Sequence, residues 1–97
     1  MQAVTAKREF DERAKEDRLE QLDEAAYYYW YNRYRKLRKG KAADPERAAA
    51  FKVAFDGFRA DAVQYKAEVK RGEAQLGEFA VWLIQKQDEA DRLMDSG

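Results

Sequence analysis

The chain has 97 residues, 39% of them charged, with 19 basic and 19 acidic side chains that cancel to zero net charge. That length suits one domain, residues 1–97. The absence of Cys and His excludes disulfide frameworks, thiolate and imidazole metal sites, the Glu-x-x-His di-iron pattern of helical bundles and the Ser-His and Cys-His catalytic arrangements.

Apart from tyrosines, the hydroxyl nucleophiles are Thr5 and Ser96, both near an end, and the glycines form neither a GxGxxG nor a P-loop pattern. Acidic groups such as Asp11, Glu12 and Glu16, or Asp88, Glu89 and Asp91, fall in polar helical stretches and read as solvated faces. The expectation is a protein that is not an enzyme, with no catalytic residues, cofactor or metal. The longest fully apolar run, Phe79 to Ile84, has six residues, far short of a membrane span. The charged N-terminus has no signal-peptide core. The expected location is cytoplasmic: a host cytoplasm or a particle interior if the protein is viral.

The charge is segregated. Residues 1–26 carry five basic and eight acidic side chains, residues 27–41 six basic and none acidic, and residues 42–97 eight basic and eleven acidic. A basic patch between two acidic segments can steer an acidic partner or pair with the protein's own acids.

Residues 1–5 read as a frayed lead-in. From about residue 6 the chain is rich in helix formers, with neither Gly nor Pro before Gly40. The first half of this helix has a sparse apolar stripe, Phe10, Ala14, Leu19, Leu22 and Ala26. Charges at i,i+4 spacing, such as Glu9 with Arg13 and Asp11 with Lys15, suggest a solvated face. The stripe continues through Tyr29 or Trp30, Tyr34 and Leu37. The predicted helix therefore spans about 6–39 and is roughly 50 Å long, more than a compact domain of this size accommodates. It either kinks or projects.

Residues 27–41, YYYWYNRYRKLRKGK, hold six aromatic and six basic residues. Five consecutive rings, Tyr27 to Tyr31, wrap the whole circumference of a helix, whereas a core-facing stripe takes two or three of them. Either the remaining rings cover neighbouring helices, or they face a partner, as Tyr, Trp and Arg do at interface hot spots. The candidate interaction residues are Tyr27, Tyr28, Tyr31, Arg33, Tyr34, Arg35, Lys36, Arg38, Lys39 and Lys41. Cations in the last turns suit the helix dipole, and Gly40 suits the left-handed position beyond it.

Asp44-Pro45-Glu46 reads as an N-cap, a proline at N1 and a first-turn acid. The second helix, about 45–71, carries Ala48, Phe51, Phe55, Phe58, Ala62, Tyr65 and Val69 at alternating spacings of 3 and 4, a coiled-coil-like seam. Gly57 in its middle suggests a close approach by another helix or ring. Gly72 and Gly77 mark a break, although the periodicity runs on through Leu76, Phe79, Leu83, Lys86, Ala90 and Leu93. A separate third helix, about 75–94, allows the run Phe79–Ile84 to be covered on more than one side. Residues 95–97 read as a tail.

The predicted fold is all-α: a three-helix antiparallel bundle, or a helical hairpin, with a long, partly projecting N-terminal helix. The number of rings exceeds what such a core readily hides, which points to self-association, most simply as a dimer. The expected function is a protein-interaction or assembly module, a small subunit, accessory protein or inhibitor of a phage or mobile element. It would dock on a larger assembly or target enzyme through 27–41. The alternative is nucleic-acid binding by the same segment, with phosphate contacts and base stacking.

Overall fold

A computed structural model describes the backbone of residues 2–41 and 43–95, and the side chains of 13–41 and 43–95. The described residues form three helices: α1 (Gln2–Arg38), α2 (Pro45–Lys70) and α3 (Leu76–Asp95). The break before α3 is real, so the seam of α2 does not run into a single long helix. Residues 2–5, expected to be frayed, continue α1, and Asp95, expected in the tail, ends α3; Met1, Ser96 and Gly97 lie outside the described residues.

The local chemistry explains the boundaries. Beyond α1, Gly40 adopts φ 97°, and the Asp44 amide returns to the Leu37 carbonyl at 2.8 Å. The Asp44 carboxylate then accepts the Arg47 amide at 3.2 Å, capping α2 with Pro45 in its first turn. At the other end of α2, Gly72 takes φ 80°. The Gly72 amide donates to the Val69 carbonyl and the Glu73 amide to that of Glu68. That pair of bonds is a Schellman motif, which ends the helix and turns the chain.

The helices run up, down and up. Asp23 meets Arg59 while Glu20 meets Lys66, so α1 and α2 are antiparallel. Leu22 lines a groove with Leu76, and Arg33 binds Asp91, so α1 and α3 are parallel. α1 packs against both other helices, and α2 also packs against α3.

At 1.5 Å per residue, α1 with its 37 residues is about 55 Å long, and the 26 of α2 reach about 39 Å. α2 ends beside Lys15 and Leu19, so the earlier turns of α1 project beyond the bundle. The molecule measures 61 × 23 × 16 Å, with a radius of gyration of 17.0 Å against about 12.5 Å for a compact chain of this length. Ala14 is exposed, a correction to the expected stripe: five residues before the buried Leu19, it lies about 140° around α1 from the core-facing line. Phe10, Glu9 and Asp11 lie outside the residues whose side chains are described.

The core is the α2 seam closed by α1 and α3. Ala48, Phe51, Phe55, Phe58, Ala62 and Val69 are buried, with Leu19, Ala26, Trp30 and Leu37 from α1 and Phe79, Leu83 and Ala90 from α3. Trp30 is fully buried and packs on three rings of α2, with centroids 5.2 Å from Phe51, 5.9 Å from Phe55 and 5.1 Å from Phe58. Its indole Nε1 has no hydrogen-bond partner among the described residues. Forgoing that bond costs about 1–3 kcal/mol, which the large ring burial offsets. Trp82 joins Phe58, Tyr65 and Phe79 in a second ring cluster.

Three expectations need correction. The rings are not in excess: among the described residues only Tyr28 and Tyr31 are exposed aromatics, and the other exposed large apolar side chains are the aliphatic Val53, Val63, Val81 and Ile84. The run Phe79–Ile84 is covered on one side only, since Val81 and Ile84 are 56% and 64% exposed. Gly57 admits no neighbour, because a Cβ there would meet nothing within 4 Å.

Candidate interaction site

The structure divides the aromatic-basic segment in two. Residues 27–34 are mostly used inside the fold. Tyr27 is half-buried between the Phe55 ring, 5.6 Å away, and the Arg59 guanidinium, 5.1 Å from its centroid. Tyr34 is half-buried and stacks on Phe51 at 4° between planes, with Arg38 5.6 Å from its centroid. Arg33 lies 3.4 Å over Tyr29, donates to the Tyr29 carbonyl at 3.0 Å and binds Asp91 at 2.8 Å. The Tyr29 hydroxyl donates to the same carboxylate at 2.6 Å. That hydroxyl bond, with the Arg33 guanidinium, holds Asp91 below the ordinary carboxylate range, and the bond to Asp91 raises Tyr29.

Tyr27, Arg33 and Tyr34 therefore position helices. Tyr28 and Tyr31 remain exposed, but Tyr31 has one face on Tyr27, at 6.0 Å and 13° between planes. Around α1, Tyr28 lies about 160° from the buried Trp30 and Tyr31 about 100° from it.

Arg35, Lys36, Arg38, Lys39 and Lys41 behave differently. All are exposed. Every described Lys and Arg of α2 and α3 has a partner. Arg59 and Lys66 bind Asp23, Lys70 binds Glu20, and Lys52, Lys86 and Arg92 bind acids on their own helices. Arg47 donates to the Leu93 carbonyl at 3.1 Å and to that of Met94. Among the described residues the five cations at the end of α1 have no carboxylate partner. Tyr31, Tyr34, Arg35, Arg38 and Lys39 line an open groove of about 310 Å³ there. The site is thus a cationic tip with two tyrosines at its edge, able to hold an anionic surface by charge-assisted hydrogen bonds.

A second ionic cluster was not legible as such. Asp23 reads in sequence as one of many acids on a solvated face, yet it is only 5% exposed. It occupies the core-facing stripe, four residues after Leu19 and three before Ala26. Its carboxylate accepts from Arg59 at 2.8 Å and Lys66 at 3.0 Å, and Glu20 accepts from Lys66 at 2.9 Å. Burial alone would raise Asp23, but those two donors outweigh it and hold the group below the usual carboxylate range. Glu20 is lowered chiefly by Lys66. Burial opposes the charge on Lys66, and its bonds to Glu20 and Asp23 outweigh that and raise it. The signal available in the sequence was position: Asp23 is the acid at stripe spacing.

No helix among the described residues is long and apolar enough to cross a membrane. No protein-family model, curated protein or solved structure matches the chain.

Proposed function

We propose that the protein is a non-enzymatic docking module whose cationic tip, Arg35, Lys36, Arg38, Lys39 and Lys41, binds an acidic surface of a larger protein partner. One observation carries this reading. The fold pairs every described cation of α2 and α3 and leaves these five without a carboxylate. Tyr31, exposed beside them, supplies the amphipathic ring that protein interfaces favour.

Nucleic acid is the second reading, favoured by the clustering of the five cations, which suits phosphates. The ring arrangement weighs against it. Tyr34 is sandwiched between Phe51 and Arg38, and Tyr31 lies against Tyr27, so the tip lacks the free stacking platforms of single-strand binders.

The test compares a labelled Asp/Glu-rich peptide with single- and double-stranded oligonucleotides of matched charge, by fluorescence anisotropy at about 50 and 200 mM salt. The peptide should bind the native chain, and the variant Arg35→Glu/Lys36→Glu/Lys39→Glu should lose that binding. Oligonucleotide binding that is tighter than the peptide's and falls by orders of magnitude with salt would transfer the site to nucleic acid. Binding of neither ligand at the lower salt would remove the reading.

A further inference from the structure

A different surface, neutral and aliphatic, lies where α1 and α3 run side by side. Arg18, Gln21 and Leu22 from α1 and Leu76, Gly77 and Ala80 from α3 line an open, largely apolar groove of about 520 Å³. Ile84 continues it one turn further along α3, and Val81 flanks it; both are mostly exposed. With Arg18 as its single lining charge, the groove offers an acidic partner far less than the five-cation tip does. Its occupant must be apolar.

We infer that this groove is a two-fold interface with a second copy of the chain. Gly77 and Ile84 are seven residues apart, two turns along one face of α3, with Ala80 and Val81 midway. When two α3 helices cross antiparallel about a two-fold axis between Ala80 and Val81, Ile84 of each copy falls over Gly77 of the other. An isologous interface requires that reciprocity, with i meeting j and j meeting i. Gly77 provides the space, since nothing lies within 4 Å of where its Cβ would be. Ile84 provides the knob.

Surface area leaves room for such an interface. The accessible surface is 7160 Å², whereas a folded monomer of 11.4 kDa averages ~5,800 Å². The projecting turns of α1 contribute to that excess, and the α1–α3 groove is an apolar concavity within it. A stable interface removes about 800 Å² per partner, well within the difference. The other exposed valines, Val53 and Val63, are ten residues apart on α2 and share no stripe.

Sedimentation equilibrium of the full chain up to about 200 µM tests the interface. The native chain should show about twice the 11.4 kDa chain mass. Gly77→Gln should weaken dimerisation at least tenfold with unchanged helical circular dichroism, because the site is open and its φ is ordinary in the monomer. Ile84→Lys, at an exposed position, should do the same. Exchanging knob and hole in one chain, Gly77→Val with Ile84→Ala, should restore the dimer that Gly77→Val alone weakens. A native chain that stays monomeric at the highest concentration overturns the inference. So does a dimer unaffected by both single substitutions, which would belong to another surface.

Discussion

Residues 19–34 and 35–41 are neighbours in sequence and both carry charged side chains, yet the fold treats them oppositely. In the first stretch Asp23, Trp30 and Arg33 are each held by a residue far away in sequence, on α2 or α3. In the second, five exposed cations flank the buried Leu37 and meet no carboxylate among the described residues. Packing separates them. α3 ends at Asp95, and the last α3 acid bonded to α1 is Asp91, at the level of Arg33. A charge becomes structural here only where another helix supplies a partner.

Substitutions test the contrast, beginning at its strongest point. Trp30→Ala should cost about 3–5 kcal/mol, read as a lower urea midpoint; an unchanged midpoint would mean that the α1–α2 ring cluster does not hold the fold. Asp23→Ala comes next, at the lower end of the about 3–5 kcal/mol expected for breaking a buried pair. Its partners Arg59 and Lys66 keep some access to solvent, with side chains 28% and 16% exposed.

The same group sets a pH dependence. Because Asp23 is lowered in the folded state, its contribution is complete above the unfolded value of about 3.9. It is lost as pH falls through the lower, folded value. The native chain should therefore lose stability below about pH 4, and Asp23→Asn should flatten that part of the profile. Lys66 is raised, so its contribution is complete below about 10.4 and fades only as pH climbs through the folded value. Equal acid limbs in the two proteins would remove Asp23 from the account.

Smaller effects lie nearer the tip. Arg33→Ala should cost about 1 kcal/mol or less, since its pair with Asp91 reaches solvent. It should also let the Tyr29 resonances sharpen or shift in NMR spectra as the ring loses its guanidinium cover. Smallest of all, Arg35→Glu, Lys36→Glu and Lys39→Glu should each, taken singly, change stability by no more than about 1 kcal/mol, the range of a surface charge at a helix end. A loss as large as that of Trp30→Ala would show that 35–41 is structural after all and erase the distinction.

Most of the architecture was legible because it is written in local rules. The cap Asp44-Pro45, the terminating Gly40 and Gly72, and the alternating seam of α2 each act within a few residues, and the helices begin and end close to the predicted places. What sequence could not supply was the facing of α1. Five consecutive rings are compatible with any rotation of the helix, and only the docking of α2 against Trp30 decides that Tyr28 and Tyr31 turn outward. Asp23 was obscured for the same reason, since an acid in a charged helix looks solvated until the stripe is fixed by its neighbours. Gly57 misled in the opposite direction: a glycine in mid-helix suggests close packing, yet this one faces open space.

The two tryptophans lie in ring clusters that meet only through Phe58 among the described residues, and this gives the molecule two built-in optical gauges. The Trp30 indole, enclosed by Phe51, Phe55 and Phe58 of α2 with no polar partner, has no mobile dipoles to relax its excited state and should emit at short wavelength. Trp82 is half-buried on α3 with the Lys86 ammonium 5.7 Å from its ring, so its emission should be red-shifted and more accessible to quenchers. Fluorescence of chains carrying Trp30→Phe or Trp82→Phe would therefore follow the α3 face and the α1–α2 seam independently, showing whether α3 detaches before the hairpin beneath it opens.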